Sequence, residues 1–464
     1  MYPMNSVIFR AIDTTIDRLR QLSHHDLIAD WRIIFDDREM PPSRDRWQTA
    51  PRVELDERRY ALWERGRKVA WFVTEIEIPD ALHGYATGGQ TLRLALRWWA
   101  EDARIFAGDR EIMAGDLYDC FGRVVLAERA EPGTKIALAI RLVSPGHDDG
   151  ALVTSVLHYE SDYAPGLLDS AFVADEVAVV AARICPDRSA ISTEAEDHLQ
   201  ALARLLEPVA AKLDRGATTD EIDLALADLH TALVRNFPRD ELAIDLLTHA
   251  HLDMAWLWPL SETYDAAQRT FESVLNLQDD YPEATYTHSS PALYDWIEQH
   301  RPDLFDRIKT QVDRGKWDVA AGLWVEPELN IISGESIARQ ILYGQRYCQE
   351  KFGQISRVAW LPDSFGFCWQ LPQFLALGGI DYFVTQKLRW NDTTEFPHEL
   401  FCWQAPDGTQ IPAWMASPIG TDIDPVAMTQ YAAQWCYTTG RKTAMWLPDR
   451  KSTRLNSSHQ IISY

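Results

Sequence analysis

From about residue 242 the sequence changes period, and this change constrains the fold more than any other feature. Short apolar runs at 244–248, 284–287, 317–323, 358–361 and 382–385 alternate with helical-period segments at 266–278, 292–299, 336–351 and 371–377. Strand–helix alternation of this kind implies crossover connections. It therefore predicts parallel strands in an open α/β sheet or a barrel. Polar residues stand just past several of the predicted strand ends: His249, His251 and Asp253, then His288, Glu326, Asp363, and Gln386 with Lys387. In parallel α/β folds the carboxyl ends of the strands converge on the ligand site, so these residues are expected to meet.

The preceding residues read differently. Ile8, Phe9, Ile12, Ile16 and Leu19 recur at helical spacing, which predicts an amphipathic helix. Between about 50 and 160 the pattern has period two. Phe72, Thr74, Ile76 and Ile78 form one run, Leu92, Leu94 and Leu96 a second, Ile136, Leu138, Ile140 and Leu142 a third. Breaks at Pro79, Gly88-Gly89, Gly115 and Pro132-Gly133 complete the signature of a β-sandwich. A helical stretch follows, with capping boxes expected at Thr193/Glu196 and Thr218/Glu221. The expected organisation is a helical segment over 1–50, a β-sandwich over 51–164, a helical connector over 165–240 and a catalytic domain over 241–450. The last stretch, KSTRLNSSHQIISY at 451–464, lacks the periodicity of what precedes it. It reads as a non-native tail, with an ordinary disordered terminus as the alternative.

Composition excludes several function classes. The 69 acidic and 45 basic residues give a net charge of −24, a surface that repels phosphate backbones and anionic lipid. Neither nucleic acid nor membrane is an expected partner, whereas a neutral substrate is unaffected. The 18 tryptophans suit either core packing or the apolar faces of sugars. Six cysteines are scattered without CxxC spacing, so no thiolate metal site is indicated. The sequence shows no leader-like apolar segment after Met1 and no long apolar run, which predicts a soluble cytoplasmic chain if Met1 is the true start.

Two short segments carry the chemistry. In HAHLDMAWLWP, His251 and Asp253 stand two residues apart. On extended backbone they share a side, and an imidazole nitrogen beside a carboxylate oxygen suits Zn²⁺. In WLPDSFGFCWQLPQ, Asp363 follows a buried-looking strand. A carboxylate there can bind metal, act as a nucleophile or cap the next helix.

These segments resemble the two signature motifs of glycoside hydrolase family 38, the α-mannosidases. GLWVEPELNIISGESIARQILYGQRY, YFVTQKLRWND and FPHELFCWQAPDGT agree with the same family, in the expected order. The likeness spans roughly residues 240 to 425, and the leading segments resemble the cytosolic-type branch. The resemblance implies an N-terminal β-sandwich and helical connector followed by a (β/α)7-type parallel barrel, incomplete at its C-terminal side. It implies one Zn²⁺ held by His251, Asp253 and Asp363, with Asp363 also the nucleophile. Trp256 and Phe365 match residues that line the bound mannose, and Lys387 matches a basic residue beside the nucleophile. His249 is expected to be a neighbour only. His288, Glu326 and Asn391 are placed at the rim, with packing or capping as equal alternatives. The implied reaction is retaining hydrolysis of terminal α-mannosyl residues of an oligosaccharide or glycan, with zinc on the vicinal hydroxyls and a covalent mannosyl-enzyme on Asp363.

The sequence departs from the family in two ways. The fourth zinc ligand, a distant histidine, and the glycine-rich segment bearing the acid/base carboxylate have no counterpart. Asp422, Asp424 and Asp449 are nearby carboxylates, none of which matches. The resemblance thus implies a chain truncated at its C-terminus and inactive by itself. It leaves the oligomeric state open, with a homo-oligomer at full length as one option, since cytosolic-type members are often multimeric. A metal-dependent carbohydrate deacetylase of a related barrel and a non-catalytic sugar-binding remnant are the alternatives.

Overall fold

The computed structural model describes residues 3–116, 120–146, 148–161, 168–189, 191–238, 242–254, 258–417 and 423–448. The expected sugar-facing Trp256, the carboxylates Asp422 and Asp449 and the tail 451–464 lie outside the described residues. The fold is mixed α/β, with open sheets. Backbone contacts divide the chain into two units, Met1–Asp240 with Pro425–Gln430, and Glu241–Asp424 with Tyr431–Tyr464. Among the described residues no helix is long and apolar enough to cross a membrane.

The first unit contains two five-stranded antiparallel sheets. One runs His24–Asp26, Gly150–Glu160, Thr91–Trp99, Phe121–Ala127, with Ala61–Trp63 also paired to Gly150–Glu160. The other runs Arg32–Phe35, Val69–Glu77, Lys135–Val143, Asp102–Ala107, Arg110–Asp116. Side chains alternate along each strand, so Leu92, Leu94, Leu96 and Trp98 of one sheet join Phe72, Ile105, Leu138, Ile140 and Leu142 of the other in a single buried cluster. Each fully buried leucine contributes on the order of 1.5–3 kcal/mol. The strands His24–Asp26 and Arg32–Phe35 fall in the stretch expected to be helical, yet they pair into these sheets.

The helices of this unit share a second core. Pro3–Gln21 buries Ile12, Ile16 and Leu19 against Val173 and Val177 of Ser170–Ile184, Leu202 and Leu206 of Thr193–Asp214, and Leu226 and Leu229 of Thr219–Asn236. Each set recurs at three- or four-residue spacing, one helical face. Thr218 and Glu221 form the expected reciprocal capping box. The other expected box does not form. Ser192 is the cap there, its hydroxyl accepting from the Ala195 amide, and Thr193 is already the first helical residue. A serine one position earlier reaches the orphan amide first.

His24 and His158 face each other across the first sheet with stacked rings, centroids 4.0 Å apart. Burial, then the neighbouring His158, pushes His24 down to about 4. Between the ordinary histidine value and that level, the unfolded chain holds a proton that the native protein does not. Stability therefore falls as pH drops through this window. Denaturation midpoints measured from pH 7 to pH 4 are expected to decline, and less so in His24→Gln.

In the second unit the strands form three open pieces. Ala243–Leu246 pairs in parallel with Thr443–Trp446, and Tyr286–His288 with Trp317–Val319. Val358–Trp360, Tyr382–Thr385 and Gln410–Met415 are mutually parallel, and Leu400–Gln404 closes that sheet antiparallel. Helices Leu260–Asp280, Pro291–His300, Pro302–Asp313 and Gly334–Phe352 connect the strands. Two glycines set close approaches. Gly322 has φ +66°, and a Cβ on it would lie 2.8 Å from the Val358 carbonyl oxygen. A Cβ on Gly344 would lie 2.6 Å from the backbone of Leu323. Gln340, on the same helix, accepts from the Trp324 amide through its backbone and from the Val325 amide through its side chain. The helix thus grips the backbone immediately before Glu326. Gly344→Ala is expected to cost about 1–3 kcal/mol through overpacking against backbone that cannot rotate away. Urea unfolding checks this, and an unchanged midpoint would contradict it.

Candidate metal centre

The site begins with His249. Its segment makes a parallel bridge to Thr287. His249 Nδ1 donates to the Thr287 carbonyl at 2.9 Å, and its Nε2 accepts from the Trp360 indole N–H at 3.3 Å. Both ring nitrogens are therefore used as a neutral imidazole uses them. Burial holds this histidine down at about 3. His249 is an anchor, and it fixes the backbone two residues before His251.

His251 is buried, and three carboxylates surround it. Its Nε2 lies 3.2 Å from Asp253 Oδ1 and 3.4 Å from Asp363 Oδ2, while its Nδ1 faces Glu326 Oε2 at 3.6 Å. His251, Asp253 and Asp363 form a triad whose ligand atoms all lie within 4.8 Å of one another. The geometry fits a metal ion. A tetrahedral ion with bonds of about 2.0–2.2 Å holds its ligands about 3.3–3.6 Å apart, and the two measured separations on Nε2 fall at or just below that spacing. One imidazole nitrogen and two carboxylate oxygens also leave room for a further ligand, as open catalytic sites do.

Electrostatics follow from burial and proximity. Burial opposes the imidazolium form of His251, but the carboxylates of Asp363 and Asp253 outweigh it and hold this histidine well above its ordinary value. Burial likewise opposes the Asp363 carboxylate, yet His251 and Lys387 keep it below the usual carboxylate range. Lys387 Nζ lies 2.5 Å from Asp363 Oδ1, with its own side chain only 2% exposed. Glu326 shows the opposite balance. Burial, with the negative charge of Asp363 adding to it against His251, raises Glu326 to about 7.

Of the residues expected from sequence, the structure brings His251, Asp253, Asp363, Lys387 and Phe365 together. Phe365 is exposed, and Lys387 Nζ sits 4.4 Å from its ring centroid. Asn391 accepts from the amides of Thr393 and Thr394 as a turn residue. His288 packs edge-on to Phe271 and Tyr294, and Asp424 is exposed. Glu326 is not at the rim. Its Oε1 accepts from the Asp363 amide at 2.6 Å, the Ser364 amide at 2.7 Å and the Ser364 hydroxyl at 3.2 Å. Its position past the Trp317–Val319 strand, like that of Asp363 past Val358–Trp360, was the available signal. Trp390 was missed altogether. Its ring centroid lies 3.4 Å from Lys387 Nζ, because Lys387–Arg389 forms a 3₁₀ turn in which side chains three apart eclipse.

Removing a buried cation from a buried carboxylate leaves an uncompensated charge, at about 3–5 kcal/mol. Lys387→Met is therefore expected to lower stability by roughly 3 kcal/mol in excess chelator. Chemical denaturation measures this, and a variant as stable as the unsubstituted chain would refute the pairing.

Residues 241–451 match the family described as glycosyl hydrolases family 38 N-terminal domain. Alpha-mannosidase G of Dictyostelium discoideum is 40% identical over 163 residues, which cover 35% of this chain and 15% of that protein. Alpha-mannosidase of Saccharomyces cerevisiae is 40% identical over 164 residues, covering 35% and 15%. Alpha-mannosidase 2C1 of Homo sapiens is 39% identical over 163 residues, covering 35% and 16%. The chain therefore aligns with only a small part of the length of these relatives. The segment that carries the buried triad is the part of the chain that matches the glycosyl hydrolases of family 38.

Proposed function

We propose that the protein of which this chain is part is a zinc-dependent retaining α-mannosidase acting on terminal α-mannosyl residues of oligosaccharides or glycans. The observation that carries this reading is the spacing of His251, Asp253 and Asp363 around one imidazole nitrogen, within a segment shared with enzymes named α-mannosidases. His251 Nε2 and the carboxylates of Asp253 and Asp363 would hold the ion. Bound there, zinc supplies orientation of the sugar's vicinal hydroxyls and charge stabilisation.

The remaining chemistry belongs to the side chains. Asp363 attacks the anomeric carbon, forms a glycosyl ester as the leaving group departs, and releases mannose to water with retention. Lys387 favours the ionised carboxylate that attack requires. Phe365, exposed beside Lys387, presents an apolar face to the ring. A second carboxyl group must act as acid and then base, about 5–5.5 Å from the nucleophile. Glu326 is unsuited to that role, since Oε1 is occupied by three donors and Oε2 is buried. The same burial leaves Glu326 unfit to be the accessible base that an amide-cleaving deacetylase needs beside the triad.

The finer architecture belongs to the same proposal. Ala320, Trp360, Val384, Ala416, Met445 and Leu447, from five strand ends, share one buried cluster. That supports reading the open sheets of the second unit as an incomplete (β/α)7-type barrel, and the cluster shared by the two antiparallel sheets supports a β-sandwich. Likeness to the cytosolic-type branch favours a cytoplasmic setting.

An activated 5-fluoro-α-mannosyl donor tests the nucleophile, because it keeps the vicinal hydroxyls and its good leaving group needs no proton from an acid. Incubation is expected to add one fluoromannosyl unit to the peptide bearing Asp363. Chelator and Asp363→Asn are each expected to abolish the label. Labelling of another residue, or none with metal present, would overturn the assignment.

A further inference from the structure

Glu326 is a buried ionisable group that the proposed reaction leaves unused. Its two oxygens do different things. Oε1 takes three donors from Asp363 and Ser364 and so pins the turn that carries the Asp363 carboxylate. Oε2 is buried, makes no hydrogen bond, and lies 3.6 Å from His251 Nδ1. On the opposite side of that ring, Nε2 faces Asp253 and Asp363.

We infer that Glu326 is a positioning residue for the metal centre: Oε2 is the acceptor for the Nδ1–H of His251, leaving Nε2 as the metal donor, while Oε1 fixes Asp363. One side chain thereby orients two of the three ligands. The inference rests on the metal-centre reading given above. The chemistry is that of a ligating histidine whose second nitrogen donates to a carboxylate, which fixes the tautomer and the ring orientation. Loss of such partners weakens metal binding about 10–100-fold. Glutamine cannot replace the carboxylate. If its oxygen keeps the amides of Asp363 and Ser364, its NH₂ meets an Nδ1–H that also donates. The ring then favours the tautomer protonated on Nε2, which has no lone pair for a metal.

The test titrates the 464-residue chain and its Glu326→Gln variant with Co²⁺ and with Zn²⁺ against a competing chelator. Apo-state melting in excess chelator is recorded alongside. The expected result is one site in the unsubstituted chain, about 10–100-fold weaker binding in the variant, a changed Co²⁺ absorption spectrum, and matching apo-state melting temperatures. Equal affinity and identical spectra would overturn the inference and leave the metal centre standing. Weaker binding with an equally weakened apo fold would also overturn it, by making Glu326 merely structural. No binding by the unsubstituted chain would remove the metal-centre reading itself. Should Glu326→Gln not fold, Glu326→Asp decides. It keeps the charge but is one methylene too short to reach both partners, so weakened binding supports the inference and unchanged binding overturns it.

Discussion

The second unit is organised around a charge problem. Asp253, Asp363 and Glu326 crowd one buried imidazole, and the Lys387 ammonium pairs with Asp363. Three carboxylates against one ammonium leave two negative charges in a setting where unpaired charge is expensive. Without a further cation, the strain appears as a carboxyl raised to about 7 at Glu326 and an imidazole held well above its ordinary value at His251. A divalent ion on Nε2 would cancel the excess and let His251 be neutral. The same arrangement would keep Asp363 ionised, as the proposed nucleophilic role requires.

Such a cluster needs rigid support, and the support comes from backbone. His249 spends both ring nitrogens on Thr287 and Trp360, so the strand end before His251 cannot drift. Gly322 and Gly344 let neighbouring backbone come closer than any side chain would allow. Gln340 grips Trp324 and Val325, and Glu326 passes that constraint on to Asp363. The segments that carry the triad are thus held by buried side chains, His249, Gln340 and Glu326, each hydrogen-bonded to main chain. Pre-organisation of this kind is what a metal-assisted glycosyl transfer requires.

Much of this was legible in the sequence, for identifiable reasons. The period of the apolar residues marks the strands and helices, and their alternation places His251, Asp253, Asp363 and Lys387 at strand ends. The role of Glu326 was not legible. A glutamate after a strand can cap, pack or face solvent, and only the approach of Asp363 and Ser364 selects among these. Trp390 was hidden by a short 3₁₀ turn that leaves no periodic trace. The cap at Ser192 was displaced because Ser192 and Thr193 both suit the position. The early strands were missed because His24–Asp26 and Arg32–Phe35 are too short to show alternation.

The central claim is that His251, Asp253 and Asp363 are ligands of one metal ion. Anomalous diffraction at the zinc absorption edge, on crystals of the protein grown with zinc, tests it most directly. The account expects a single strong peak within bonding distance of His251 Nε2, Asp253 and Asp363, with Glu326 against Nδ1. A map with no peak between these three residues, or with zinc bound through Nδ1, would contradict it.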